Sequence, residues 1–126
     1  MKTVINLVCI KNNKILLLLK RDVWILLGGK PNHNESNFDC LKREASEELP
    51  NTIITTSKHF GDFDGLTPHS HVSIRAVVFI GTVDGDITPS AEISDAKFFT
   101  KEELRGIPIS DITSEIILDL IKKGYF

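Results

Sequence analysis

Glu44, Glu47 and Glu48 stand at spacings of i, i+3 and i+4, so on a helix their carboxylates are neighbours. Like charges so placed cost an isolated helix about 0.2–0.5 kcal/mol per pair. They also fall in the last turns of the segment, where the helix macrodipole disfavours negative charge. Arg43 offsets part of that cost through its i+4 partner Glu47, but one cation cannot neutralise three carboxylates. Oxygen ligands gathered on a rigid element suit a hard divalent ion such as magnesium, with manganese as a substitute. The plainer reading is a solvated acidic face, and the three acids alone do not choose between the two.

The elements that must hold these acids can be read outward from them. Apolar spacing predicts a helix over residues 37–49, with Ser36 as N-cap and Asp39 three residues on. Pro50 ends it, because the residue before a proline is pushed out of the α region. Phe38, Leu41, Ala45 and Leu49 form its core stripe, with the acids on an adjoining stripe. Upstream, residues 24–27 are a short apolar piece stopped by Gly28 and Gly29, and residues 30–35 form a polar loop. Residues 3–10 and 14–20 read as strands joined by a turn at Asn12 and Asn13.

Downstream, residues 53–56 and 60–63 look extended, 64–71 reads as a loop, and 72–83 is the longest strand, followed by a turn at Asp84 and Gly85. Residues 96–99 make another strand. Thr100 and Glu103 match a capping box that opens a short helix. A final amphipathic helix over 113–123 puts Ile116, Ile117, Leu120 and Ile121 inward. Strands and helices mix without regular alternation, which predicts an α/β (α+β) domain with a mixed sheet and helices on both faces.

The 126 residues fit one domain, and a 41% apolar content is enough for a core at this size. The formal net charge of −2 argues against a binder of nucleic-acid polymers, which would show a basic excess. Two cysteines, Cys9 and Cys40, are too few for a disulfide framework and read as reduced, buried thiols. The apolar start is short and broken by Asn6, with no small-residue cleavage site after it, and 15–19 is too short to span a bilayer. These features predict a cytoplasmic protein without membrane insertion.

Gly29, five residues, Glu35, seven residues, then Arg43-Glu44-Ala45-Ser46-Glu47-Glu48 resembles the Nudix box, G-x5-E-x7-R-E-U-x-E-E-x-G-U, where U is apolar. Six fixed letters match; at a frequency of roughly 1 in 15 each, chance gives about 1 in 10⁷ per starting position. Trp24 to Gly29 is similar to the family's W-x-L-P-G-G approach, with Leu27 in place of proline. Pro50 and Asn51 depart from the pattern, standing where the family has glycine and an apolar residue. Proline cannot adopt the left-handed cap that glycine supplies, so a different exit from the helix is expected, with the acids in place.

The resemblance implies a Nudix-type α/β/α sandwich and a MutT-like, metal-dependent hydrolase. Its substrate would be a nucleoside diphosphate linked to another moiety, cleaved by water attack on phosphorus. Glu44, Glu47 and Glu48 would ligate the metal together with a backbone carbonyl of Gly28. Arg43 would orient the carboxylates, Gly29 and Glu35 would support the box, and Glu47 is the first choice for general base. Glu92 and Asp95, before the apolar Phe98 and Phe99, are outside candidates for that base; a solvated loop acid is their plainer reading. Lys30, after the glycines, is placed to meet a phosphate or is an ordinary surface lysine. Trp24 stacks on a base or packs in the core. His69, in an H-x-H with His71, contacts substrate or belongs to a polar loop.

Relatives that cleave dinucleoside polyphosphates often carry a tyrosine some sixteen to eighteen residues after the box, where this chain has none; Tyr125 is its only one. Pro68 lies near a proline position common among ADP-ribose-cleaving relatives. A nucleoside triphosphate, ADP-ribose or a nucleotide sugar all remain open as substrates. A Nudix-fold sensor that binds a nucleotide without cleaving it is the alternative, and the altered box end is what keeps it open. Family members are often homodimers, which extends the resemblance to quaternary structure.

Overall fold

Alternating side chains along the first strand, Ile5 and Leu7 one way and Val4 and Val8 the other, require two apolar layers rather than one. The computed structural model describes residues 1–67 and 69–126 and supplies both. The strands are β1 (Lys2–Val8), β2 (Ile10–Lys11), β3 (Lys14–Lys20), β4 (Val23–Ile25), β5 (Leu27–Gly29), β6 (Thr52–Leu66), β7 (Ser73–Gly85) and β8 (Ile93–Phe99); the helices are α1 (Asn37–Glu48) and α2 (Asp111–Lys122). One sheet runs β5-β1-β7-β6, with β1 and β7 parallel and the other pairs antiparallel. The second joins β2, β3 and β4, with β8 also on β3.

The expected mixed sheet with helices on both faces is therefore present, but its strands divide between two sheets. The segment read as one strand over 3–10 breaks at Cys9, where the chain passes from the first sheet to the second. Residues 24–27 divide likewise at Leu26, and Gly28 and Gly29 continue β5 instead of stopping it. Asn12 and Asn13 both take left-handed φ, +52° and +60°, the conformation of a type I′ turn, and close the β2–β3 hairpin.

Two apolar layers follow from the alternation. Ile5, Leu7 and Leu27 pack with Cys40, Leu41 and Ala45 of α1, with Leu49 just after it and with Leu16 and Leu18 of β3. Val8, Ala76 and Val78 pack with Ile112, Ile116 and Leu120 of α2 and with Trp24 and Phe99. Two residues leave the stripes assigned to them. Phe38, in the first turn of α1, is 39% exposed beneath the Lys42 ammonium, and Cys40 takes the buried place instead. Ile121, in the last turn of α2, is also exposed.

The extended pieces at 53–56 and 60–63 are one strand, β6, which also absorbs Asp64, Gly65 and Leu66 from the expected loop. Bulges between Thr56 and Lys58 and between His59 and Gly61 interrupt the alternation while pairing to β7 continues, so the sequence pattern breaks where the strand does not. Asp84 and Gly85 pair with Ile53 and Thr52 as the end of β7. The Thr100–Glu103 capping box forms in both directions, at 2.8 and 3.2 Å, but leads only to a 3-10 turn, Glu103–Gly106, with Pro108 close behind. No helix among the described residues is long and apolar enough to cross a membrane.

Candidate active site

Helix α1 begins where expected: the Ser36 hydroxyl accepts from the Asp39 N–H at 3.1 Å. It ends without a left-handed glycine. Leu49 takes φ −137° and ψ 71°, and its carbonyl accepts from both the N–H and the hydroxyl of Thr52, at 3.2 and 2.7 Å. The Glu48 carbonyl accepts from the Ser90 N–H at 3.0 Å. Two neighbouring segments thus satisfy the last carbonyls that a glycine-led exit would otherwise serve.

The helical period explains how the three acids divide. Seven residues turn a helix about 20° short of two full turns, so Glu48 stands nearly over the buried Leu41, Glu44 about 60° from it and Glu47 about 120° away. Glu44 accordingly keeps only 15% of its side chain exposed, while Glu47 keeps 54%. Glu48 faces the sheet, where its carboxylate accepts from the Gly28 N–H at 3.4 Å. Burial, and then the charge of Glu44, push the Glu48 carboxyl up to about 8, against the Gly28 hydrogen bond. Burial also raises Glu44, although Arg43 opposes it.

The glycines make this approach feasible. A β-carbon on Gly29 would lie 2.4 Å from a Glu44 carboxylate oxygen, so Glu44 occupies the space of the missing side chain. Gly28 has φ +144°, and a β-carbon there would meet the Ile5 carbonyl and the Asn6 amide.

Arg43 ties the loop to the helix. Its Nε and Nη2 donate to the two oxygens of Glu35 at 2.9 and 3.0 Å, Nη1 donates to Glu44 at 3.0 Å, and Nη2 donates to the Lys30 carbonyl at 2.9 Å. The i+4 contact to Glu47 is longer than any of these, at 3.5 Å. This clamp holds the Glu35 carboxyl below the usual carboxylate range, through the Arg43 hydrogen bond first and the Asn32 N–H second. Cys40, next to the clamp, is desolvated and its thiol is pushed up to about 11, which suits an inert buried group.

The remaining candidates lie outside this cluster or at its rim. The Lys30 side chain is exposed, and its carbonyl rather than its ammonium meets Arg43. Glu92 is paired with Lys20 at 3.0 Å and held below the ordinary range by it. Asp95 accepts from the Ala96 N–H. Neither makes a hydrogen bond or ion pair with the three helix acids. His69 bonds Asp22 at 3.3 Å and lines a cavity of about 340 Å³ that opens beside Gly28 and Gly29. Pro68 lies outside the described residues, and Tyr125 packs edge-on against Phe60.

Of the two places open to Trp24, a base-stacking platform or the core, it takes the core. It is 7% exposed, packs edge-on against Phe99 with ring centres 4.8 Å apart, and does not line the cavity. Trp24→Phe is therefore expected to cost about 1–2 kcal/mol of stability in urea unfolding and to leave KM within twofold. A tenfold rise in KM at unchanged stability would return it to the substrate.

Sequence reasoning missed Lys20, Arg21 and Asn6, which also line the cavity. Lys20 is close enough to Glu44 and Glu48 for its charge to oppose in part the rise of both carboxyls. Only Asn6 left a signal, as the polar break in an apolar strand.

Half-buried carboxylates that repel one another, with oxygen atoms and no sulfur or imidazole in the set, fit a hard divalent cation. Among the described residues, however, no three such side chains are drawn together around one point; Glu44 and Glu48 face the glycines while Glu47 turns toward Arg43.

A family model described as NUDIX domain matches residues 1–119. No curated protein is matched by sequence. Solved structures of similar fold include a NUDIX hydrolase from Nitrosomonas europaea, with a TM-score of 0.81 at 18% identity over 97% of this chain and 89% of the other. A MutT NUDIX hydrolase from Burkholderia pseudomallei gives 0.76 at 20% identity over 94% and 95%. An ADP-ribose pyrophosphatase from Streptococcus suis gives 0.73 at 21% identity over 98% and 92%. At these identities the likeness is one of fold.

Proposed function

The chain belongs to the Nudix family, hydrolases acting on phosphoric anhydride bonds, and from that premise we propose that it cleaves a nucleoside diphosphate linked to another moiety, with magnesium as its metal and manganese as a substitute. The observation that carries this reading is the pairing of Glu44 and Glu48 against Gly28 and Gly29, under the Arg43 clamp. It is a costly arrangement for a structural domain and a useful one for holding a cation. Divalent metal is the general requirement of Nudix hydrolases.

Glu44, Glu47 and Glu48 would hold the ion, with the Gly28 carbonyl. An ion there would screen the phosphate charge, ease proton loss from the attacking water and stabilise the leaving oxygen. Arg43 keeps Glu44 turned toward the glycines and fixes Glu35 and the Lys30 backbone beside it. Glu47, the acid most open to solvent, is the group we assign to take the proton from water as it attacks phosphorus. The P–O bond to the leaving phosphate breaks and that phosphate departs with the electron pair. Lys30 and His69 stand at the loop and the cavity wall, where they would meet the phosphates and the nucleoside.

The substrate class is a nucleoside triphosphate, ADP-ribose or a nucleotide sugar. Purified protein with magnesium and a panel of these compounds should release phosphate or a nucleoside monophosphate from at least one class. Glu47→Gln should lose nearly all of that activity, as should the wild type stripped of metal. Binding without cleavage across the panel would replace the enzyme reading with a nucleotide sensor.

A further inference from the structure

The cavity beside Gly28 and Gly29, at about 340 Å³, is at the small end of ligand sites, which run from about 300 to 1,000 Å³. That suits one base and sugar. Its walls include the aliphatic side chains of Val4, Ile25, Leu26, Ile74 and Ile112, and the His69 imidazole is the one aromatic ring that lines it among the described residues. Every base offers a π-face to such a ring, so stacking on His69 would not tell one base from another and discrimination falls to hydrogen bonds.

Asn6 is placed to make one. It lies mid-way along β1 on the face it shares with Val4 and Val8, the face that belongs to the apolar layer under α2. A carboxamide at such a position needs partners. Its Nδ2 donates to the Leu27 carbonyl at 3.3 Å. A carbonyl only accepts, so this bond fixes the orientation of the amide, with nitrogen toward Leu27 and Oδ1 away from it. Among the described residues no group donates to Oδ1, yet no buried side-chain polar atom is left without a partner. Oδ1 is therefore an open acceptor on a residue that lines the cavity. Gly28, opposite Asn6 across β1 and β5, leaves room for the amide: a β-carbon there would lie 2.8 Å from Nδ2.

We propose that Asn6 sets base specificity, its Oδ1 accepting a hydrogen bond from an exocyclic amine of the substrate's base and selecting amino-bearing bases over their keto counterparts. A keto oxygen in the same place would set two acceptors against each other, with neither paired. The proposal rests on the reading of the chain as a hydrolase of nucleotide-like substrates.

The test uses pairs that differ at that group: ATP with ITP, and CTP with UTP, compared by kcat/KM in magnesium. The amino member of at least one pair should lead by tenfold or more. Asn6→Val, which matches its strand neighbours and suits a β-strand, should bring that ratio close to one, mainly by slowing the amino member; Asn6→Ala serves if valine loses the fold. Equal rates in the wild type, a keto preference, or a preference that survives both variants would overturn the assignment while leaving the hydrolase reading intact. If no compound is cleaved, the hydrolase reading fails by itself, and titration of metal-free protein with AMP against IMP and CMP against UMP still decides the role of Asn6. Tenfold tighter binding of an amino member, lost in the variants, supports it. Equal affinity, or no binding, overturns it.

Discussion

Glu48→Gln is expected to lower kcat by about 10³-fold, equivalent to about 4 kcal/mol of transition-state stabilisation, and yet to make the metal-free protein harder to melt at pH 8. The two effects have one cause. Glu48 is the acid nearest the core stripe of α1, and its carboxyl is displaced to about 8 by burial and by Glu44. A carboxyl whose folded value lies above its unfolded one binds more protons in the folded state between the two values. Its contribution to stability is then fully present below about pH 4.5 and is lost as pH rises toward 8. Glu44, raised as well, acts with the same sign. Glu35, Asp64, Glu92 and Glu103 are all lowered, so their contributions are present above the unfolded carboxylate range and are lost as pH falls through their folded values. That window lies below the one governed by Glu48.

The metal-free protein should therefore melt at progressively lower temperature from pH 5 to pH 8, and Glu48→Gln should flatten that slope by removing the charge. Magnesium should raise the melting temperature of the wild type more at pH 8 than at pH 5, since the ion binds the ionised carboxylates and need not displace a proton at the higher pH. Glutamine should abolish most of that gain. A wild type equally stable at both pH values, with magnesium indifferent to pH, would mean that Glu48 is not the desolvated group described.

What the sequence revealed and concealed can be traced to the range of the forces involved. The spacing of Gly29, Glu35 and Arg43 through Glu48 is local, and so are helix α1, the Ser36 cap and the Asn12–Asn13 turn; all were legible. The inequality among the acids was available in principle, because 3.6-residue periodicity places Glu48 over Leu41, yet treating the three as one stripe hid it. Whether Phe38 or Cys40 faced the core depended on how α1 is set against the sheet, which no local pattern states. The division into two sheets depended on breaks at Cys9 and Leu26 inside apolar runs, where nothing polar marks the crossing. The bulges in β6 erased the alternation that would have joined its halves. Lys20 lines the cavity at the end of β3, where it pairs with Ile93 of β8, a long-range fact. Trp24 illustrates the converse: its ring chemistry allowed stacking on a base, and its position between Phe99 and α2 decided against it.

The second large effect is expected at Arg43, whose guanidinium is less a charge partner than a template. Four acceptors from three residues converge on it: both oxygens of Glu35, one of Glu44 and the Lys30 carbonyl. A planar fork with fixed donor directions can meet such a set at once, whereas an ammonium is a point charge that cannot hold its donors in one plane. Arg43→Ala should free the loop after Gly29 and let Glu44, only 15% exposed, swing from the glycines, weakening magnesium binding and lowering kcat/KM by about 10- to 100-fold. Arg43→Lys restores the charge without the fork and should recover only part of that loss. If charge alone mattered, lysine would recover nearly all of it, and the Glu47 contact at 3.5 Å would suffice to explain the residue. Magnesium titrations of both variants, read by calorimetry beside the kinetics, separate the two cases: a positioning role lowers metal affinity in step with activity, and a purely structural role lowers the melting temperature while metal affinity in the folded fraction stays at the wild-type value.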